Sequence, residues 1–173
     1  MLGLQQTDIR TSADKKLTEG FEECRRITKH YGTSFYFATQ FFPEEMRLGI
    51  YAVYAFARIP DEIVDDPNCS DHHMAVEKLD AWRTEWRLAM DLGFSEDPVM
   101  HAIVHTFRKY SIPQDEGEAF LRSMFMDEEK FSYRTYSELE EYMYGSAGVI
   151  GLFVTRIVGY STTDAFPYAI KLG

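Results

Sequence analysis

The chain has 173 residues, 45% hydrophobic, 27% charged and 15% aromatic, with a formal net charge of −10. That length suits one domain with a sizeable core, while the acidic balance excludes nucleic acid as a partner and electrostatic docking onto anionic lipid, both of which need a basic surface. Cys24 and Cys69 make no disulfide framework and point to a reducing, cytoplasmic setting; residues 1–16 lack the apolar core of a signal peptide, and the longest apolar stretch, 48–57, is far short of the roughly 20 residues of a membrane span.

Nearly everything reads as helix, because strand alternation and Asn-Gly or Asp-Gly hairpin turns are absent. The pattern predicts a first helix over 13–30, with 1–12 flexible. A second opens at Pro43-Glu44-Glu45, a proline in the first turn followed by acids that suit the helix dipole. It runs to Asp66, closes at Pro67 and is kinked at Pro60, which removes a backbone hydrogen bond. A third covers 71–92 with Trp82 and Trp86 on one face, both read as core. Ser95 is the expected cap of a fourth helix through Tyr110, and Pro113 precedes a fifth over 114–129. Ser137-Glu-Leu-Glu140 carries a capping-box pattern and opens a long helix to about Tyr160. Thr162 or Thr163 opens a last one. With short loops and no internal repeat, the expectation is a single all-α domain over 1–173.

Function is carried first by Tyr54-Ala-Phe-Ala-Arg-Ile-Pro-Asp-Glu-Ile-Val-Asp-Asp66. On a helix, Tyr54, Arg58, Asp61 and Asp65 share one stripe. Like charges at i,i+4 cost a helix roughly 0.2–0.5 kcal/mol per pair, so stacked carboxylates beside an arginine make most sense if something joins them. Mg²⁺ takes one or two carboxylates and completes its shell with water and substrate phosphate, and an arginine forks onto phosphate oxygens. The segment therefore reads as a Mg²⁺-diphosphate site, against the plainer reading of a solvated acidic face.

A second constellation follows. Asp127 ends the fifth helix, and fifteen residues on comes Tyr142-Met-Tyr-Gly-Ser-Ala-Gly-Val-Ile-Gly151. Each helix-interior glycine costs about 1 kcal/mol relative to alanine, so Gly145, Gly148 and Gly151 need a reason. Close helix packing is the favoured one on spacing, with a ligand chain along a groove as the other. Ser34-Phe35-Tyr36-Phe37 and Phe41-Phe42 form an aromatic cluster, by default core, whose faces would stabilise carbocations if the chemistry makes them. The histidines carry little: adjacent His72 and His73 point about 100° apart on a helix, and His101 and His105 have no carboxylates near them in sequence. No zinc spacing, Walker loop or nucleophile elbow occurs.

Taken together, Cys24-Arg25, Ser34-Phe35-Tyr36, Tyr54-Ala-Phe-Ala-Arg58, Asp61-Glu-Ile-Val-Asp65, Met126-Asp127 and the Tyr142–Gly151 run resemble the squalene/phytoene synthase family in order and spacing. The resemblance implies an isoprenoid-synthase-type helical bundle and a transferase that condenses two prenyl diphosphates, geranylgeranyl or farnesyl, head to head. Mg²⁺ triggers loss of one diphosphate, and a cyclopropylcarbinyl diphosphate forms. It implies metal binding by Asp61 and Asp65, and diphosphate contact by Arg58 and Tyr54. Tyr31, Ser34 and Phe35 fall in a substrate-contacting stretch. Tyr142 lies near the reacting carbons, Ala147, Ile150 and Gly151 along the prenyl channel, and Asp127 at a polar cavity position.

Two departures accompany the resemblance. Glu62 stands where aspartate is commoner, and Pro60 is unusual. The family's second acidic motif, Asn-x-x-Arg-Asp-x-x-x-Asp, is expected after Ala169-Ile-Lys-Leu-Gly173, so the bundle's C-terminal helices are missing from this chain. A longer protein, a split or truncated domain, and a degenerate gene product all stay open. The chain alone is expected to be inactive, with a second chain or fragment covering its open side. A non-catalytic relative acting as an assembly factor and a helical interaction domain are the rival readings. C15 against C20 substrates, use of NADPH, and peripheral membrane contact by a cytoplasmic enzyme are also left open.

Overall fold

The computed structural model describes residues 2–65, 72–129 and 132–173, with side chains described over 14–65, 73–127 and 132–173. Among them there is helix and turn but no strand. The helices are α1 (Leu2–Tyr31), α2 (Thr33–Thr39), α3 (Glu44–Val64), α4 (His72–Leu92), α5 (Pro98–Lys109), α6 (Gln114–Glu129), α7 (Tyr136–Met143), α8 (Val149–Val158) and α9 (Phe166–Leu172). A π-helical turn, Tyr144–Gly148, joins α7 to α8, and a 3₁₀ turn, Thr163–Ala165, leads into α9.

α3 is the central helix, packed by α1, α4, α5, α6 and α8. Its apolar residues, from Gly49 to Phe56, are buried almost without interruption, as a helix enclosed on most sides requires. Phe56 is fully buried, and its ring meets Trp82, Trp86, Phe107, Phe120 and Phe153 at centroid distances of 4.8–5.9 Å. Four helices thus send an aromatic side chain to one residue of α3. Trp86 is fully buried in the core and Trp82, partly buried, packs against it.

Several boundaries differ from the sequence expectation. α1 begins at Leu2 and takes in residues placed outside it by pattern. α2 is a short helix in what reads as an aromatic linker; the Gly32 N–H closes onto the Thr28 carbonyl at 2.9 Å and the Tyr36 N–H onto the Gly32 carbonyl at 2.7 Å, so the chain turns and resumes helix at once. α3 starts after Pro43, passes through buried Pro60 without a break, and ends at Val64 with Asp65 as its C-cap. Asp66 and Pro67 lie outside the described residues.

Two caps are corrected. Asp97, not Ser95, caps α5: its carboxylate accepts from the Met100 N–H at 2.7 Å. The Ser95 hydroxyl accepts from the Asp97 N–H at 3.1 Å. Thr135, not Ser137, caps α7, accepting from the Glu138 N–H at 3.2 Å, while the Glu138 carboxylate accepts from the Arg134 N–H at 3.0 Å. The helix expected to run unbroken to Tyr160 is interrupted by the π turn and stops at Gly159, whose φ of +91° suits a residue without a side chain.

Two ion-pair clusters fix α6. Glu118 receives Arg83 and Arg87 from α4, with Arg83 at 2.7 Å. Burial raises the Glu118 carboxyl, but the two guanidinium groups outweigh it and hold the group below its usual range. On the other side Arg156 of α8 pairs with Glu116 at 2.5 Å, both side chains nearly buried, and its guanidinium lies 4.6 Å from the Phe166 ring centre. α6 is thereby tied to α4, α8 and α9.

Candidate active site

Arg58 is the node of the acidic segment. It donates to Asp61 three residues on and to Glu62 four residues on, the spacings at which helical side chains meet. Its guanidinium also lies 4.5 Å from the Tyr31 ring centre, at the end of α1, a cation–π contact. The nearby Glu62 carboxylate is the largest cause that raises the Tyr31 phenol above its usual range. The Arg58 Nε is buried with no hydrogen-bond partner.

A cavity of about 270 Å³ opens beside this node. Its walls are Tyr54, Ala57, Arg58 and Asp61 from α3, Phe120, Met124 and Asp127 from α6, Tyr142 from α7 and Ser146 from the π turn. The Tyr142 hydroxyl donates to Asp127 at 3.2 Å, and its ring is 5.2 Å from that of Tyr133. Burial, followed by the bond to Asp127, pushes the Tyr142 phenol up to about 12. A second cavity, about 340 Å³, lies across Arg58 and is lined by Ile27, Tyr31, Arg58, Ile59, Glu62, Ile63 and Lys78.

Five residues singled out from sequence therefore share the first cavity: Tyr54, Arg58, Asp61, Asp127 and Tyr142. Tyr31 lines the second. Asp65 is exposed at the helix end and absent from the first cavity's lining, although its charge reaches Asp61. Ser34 is exposed, and Phe35 stacks behind Tyr54 at 5.3 Å instead of facing the cavity. Phe37 is 66% exposed and meets only the ring of Phe41 among the described aromatics.

Ala147, Ile150 and Gly151 also fall outside the lining. A Cβ on Gly151 would stand 2.1 Å from the Ala169 carbonyl oxygen of α9, and one on Gly145 would stand 2.5 Å from the Ala119 carbonyl oxygen of α6. Such distances are far inside van der Waals contact, so these two glycines let helices approach backbone to backbone. Sequence reasoning missed Phe120, Met124 and Ser146. The signal was present: Phe120 and Met124 precede Asp127 by seven and three residues, and Ser146 follows Tyr142 by four, so each shares its neighbour's helix stripe.

The electrostatics suit an added cation. Burial raises the Asp61 carboxyl above its usual range; Arg58 pulls it down, and Asp65 and Glu62 push it up again. The hard oxygens of Asp61 and Asp65, four residues apart, are the donor type and number that Mg²⁺ takes from protein when phosphate and water supply the rest. Among the described residues no cluster of three or more metal-ligating side chains occurs.

This all-α bundle, with an acidic and aromatic cavity walled by α3, α6 and α7, is the setting in which the comparisons fall. The family model for squalene/phytoene synthase matches residues 28–173, and the chain belongs to that family. It is 35% identical over 164 residues to the 15-cis-phytoene synthase of Synechococcus elongatus, covering 94% of this chain and 52% of that protein. It is 34% identical over 167 residues to a chloroplastic phytoene synthase 3 of Zea mays, covering 92% and 38%. A crystal structure of a dehydrosqualene synthase in complex with ligand superposes with a TM-score of 0.80 at 26% identity, over 93% of this chain and 55% of that one. The squalene synthase HpnC from Alicyclobacillus acidocaldarius gives 0.78 at 27% identity, over 89% and 57%. The chain spans about half the length of these relatives or less. Among the described residues no helix is long and apolar enough to cross a membrane.

Proposed function

We propose that the protein carrying this chain joins two prenyl diphosphates head to head, in the manner of a phytoene synthase, to a C40 or C30 isoprenoid. The observation that supports this most is the sharing of one cavity by Tyr54, Arg58, Asp61, Asp127 and Tyr142, in a chain of this family.

Arg58 offers its guanidinium to diphosphate oxygens while that group packs on the Tyr31 ring. Asp61 and Asp65 are the residues that would hold Mg²⁺, which when bound would supply positive charge beside the diphosphate leaving group. The Tyr142 phenol keeps its proton across the physiological range, so it meets the reacting carbons as a neutral dipole with its hydrogen on Asp127. The rings of Tyr54 and Tyr142 present π faces that stabilise an allylic cation. Phe120 and Met124 keep the reacting end dry, which limits capture of that cation by water.

The test is to incubate the full-length protein with geranylgeranyl or farnesyl diphosphate and Mg²⁺. Diphosphate release with a C40 or C30 hydrocarbon or its cyclopropyl precursor is expected, and Arg58→Ala should abolish both. Release of diphosphate with only the corresponding alcohol would mean hydrolysis and would overturn the condensation reading.

A further inference from the structure

We infer that Gly32, at the junction of α1 and α2, is a positioning residue for Tyr54: its bare backbone is the seat of the phenol at the cavity wall, and so sets the space left for the head of the substrate. The inference rests on the proposed reading of the cavity and adds to it a residue outside the cavity's lining.

Three observations carry it. The first is contact. A Cβ on Gly32 would stand 2.7 Å from the Tyr54 hydroxyl oxygen, 2.8 Å from its Cζ and 2.9 Å from its Cε2. The outer edge of the ring therefore lies directly on the glycine. The φ of Gly32 is −121°, outside the left-handed region, so the glycine answers a need for space and not for conformation. The second is that the seat is fixed. The Gly32 N–H donates to the Thr28 carbonyl at 2.9 Å and the Gly32 carbonyl accepts from the Tyr36 N–H at 2.7 Å, which pins the residue between the last turn of α1 and the first of α2. Phe35 stacks on the Tyr54 ring at 5.3 Å and closes one of its faces. The third is that the Tyr54 hydroxyl has no hydrogen-bond partner among the described residues. Packing against Gly32 and Phe35, and no bond of its own, fixes its place.

Tyr31 and Gly32 are consecutive, and they meet Arg58 and Tyr54, one helical turn apart on α3. The junction thus backs two side chains that face the head of the substrate. Neither Gly32 nor Phe35 lines the cavity, so a phenol pushed off its seat moves toward the cavity and takes room from a space of about 270 Å³. Burial raises the Tyr54 phenol; Arg58 pulls it down, and Asp61 and Glu62 push it up again. It therefore meets a diphosphate as an uncharged group whose hydrogen is still available to an oxygen.

The experiment uses the full-length protein with Mg²⁺ and geranylgeranyl thiodiphosphate, an analogue whose carbon–sulfur bond resists ionisation, so that calorimetry reads binding without turnover. Gly32→Ala is expected to weaken binding about fivefold, and with geranylgeranyl diphosphate to raise KM by a similar factor while kcat changes less than about twofold, the pattern of uniform binding lost. In a Tyr54→Leu background, which removes the ring, Gly32→Ala should weaken binding by less than about twofold further. The added methyl meets a side chain and no backbone of another element, so the variant keeps its fold; the Tyr54→Leu background, where nothing stands in its way, controls for one that does not. Unchanged binding in Gly32→Ala, a fall in kcat at unchanged KM, or the same loss in both backgrounds would each overturn the inference, the last by placing the cost in the α1–α2 turn itself. A further measurement needs no ligand: the ¹³Cζ resonance of Tyr54, identified by its disappearance in Tyr54→Phe, should shift in Gly32→Ala. An unmoved resonance overturns the positioning role. If the wild-type protein binds no prenyl diphosphate, the functional reading fails, and the resonance alone then decides whether Gly32 seats Tyr54.

Discussion

The guanidinium of Arg58 lies 4.5 Å from the ring centre of Tyr31 while its two terminal nitrogens engage Asp61 and Glu62. The contact joins the last residue of α1 to the acidic end of α3. One cation therefore balances the carboxylates and packs on an aromatic face, which explains how a stripe of like charge persists next to an apolar core. It also separates the two cavities, since Arg58 belongs to the wall of each.

Asp61→Asn should separate stability from function. The Asp61 carboxyl is held above its usual range, first by burial and then, against the pull of Arg58, by Asp65 and Glu62. Its ionised form is thus less favourable in the folded chain than in the unfolded one, and a neutral isostere removes that penalty. Arg58 keeps Glu62 as a partner. In the full-length protein the substitution is expected to raise the melting temperature and abolish prenyl transfer. A lower melting temperature would show that the pairing with Arg58 outweighs the desolvation and repulsion.

Phe56→Ala should be among the most damaging single changes. The ring is fully buried against five other aromatic rings, and its removal leaves a cavity that helices from four directions would have to collapse into. A loss of about 3–5 kcal/mol is expected, readable as a shift in the urea midpoint at unchanged slope.

Gly145→Ala should push the π turn off α6. The added methyl meets the Ala119 carbonyl oxygen, which is backbone and cannot rotate away. About 1–3 kcal/mol of stability should be lost, and the Tyr142–Asp127 hydrogen bond should lengthen, so kcat should fall even in molecules that remain folded. Wild-type activity and stability together would mean that the helices separate without consequence.

The corner where α1 meets α5 should be sensitive to acid. Burial lowers the pKa of both His101 and His105; His105 and Lys16 lower His101 further against Glu96, and Lys109 lowers His105 further. The folded chain then binds fewer protons than the unfolded one. Stability from the neutral rings is complete above the ordinary histidine value of 6.5 and is lost as pH falls through the lowered folded values. Thermal melts stepped downward from neutrality should show this loss, and His101→Gln or His105→Gln should flatten it.

Much of the helical layout was legible in the sequence because it depends on local signals: Pro43 with its following acids starts α3, and Trp82 and Trp86 recur at core spacing on α4. Caps were less legible. Ser95 and Ser137 are good capping residues, but Asp97 and Thr135 stand next to them and make the hydrogen bonds; pattern alone does not choose between neighbours. The π turn was not legible from local pattern; Gly145 within it meets the α6 backbone at Ala119, a contact made across 26 residues of chain. At the site, the stripe Tyr54, Arg58, Asp61 follows from helical spacing. That Asp127 and Tyr142 stand across from it depends on bundle topology, which entered the reading only through the family resemblance. For the small residues at 147–151, spacing pointed to close helix packing, and Gly151 does meet the backbone of α9; the channel came from the resemblance alone.

The convergence on Phe56 has a consequence for the order in which the molecule opens. Amides near Phe56, Trp86, Phe107, Phe120 and Phe153 belong to one cooperative unit, because none of these rings leaves the cluster without uncovering the others. Asp127 lies seven residues beyond Phe120 on α6, and Asp61 five beyond Phe56 on α3, so both carboxylates ride on the outer turns of helices whose inner turns are locked. Hydrogen exchange should therefore run as a gradient along α3 and α6, slowest at the rings and fastest toward Asp65 and Asp127. The acidic ends can then breathe to admit and release a ligand while the protein stays folded.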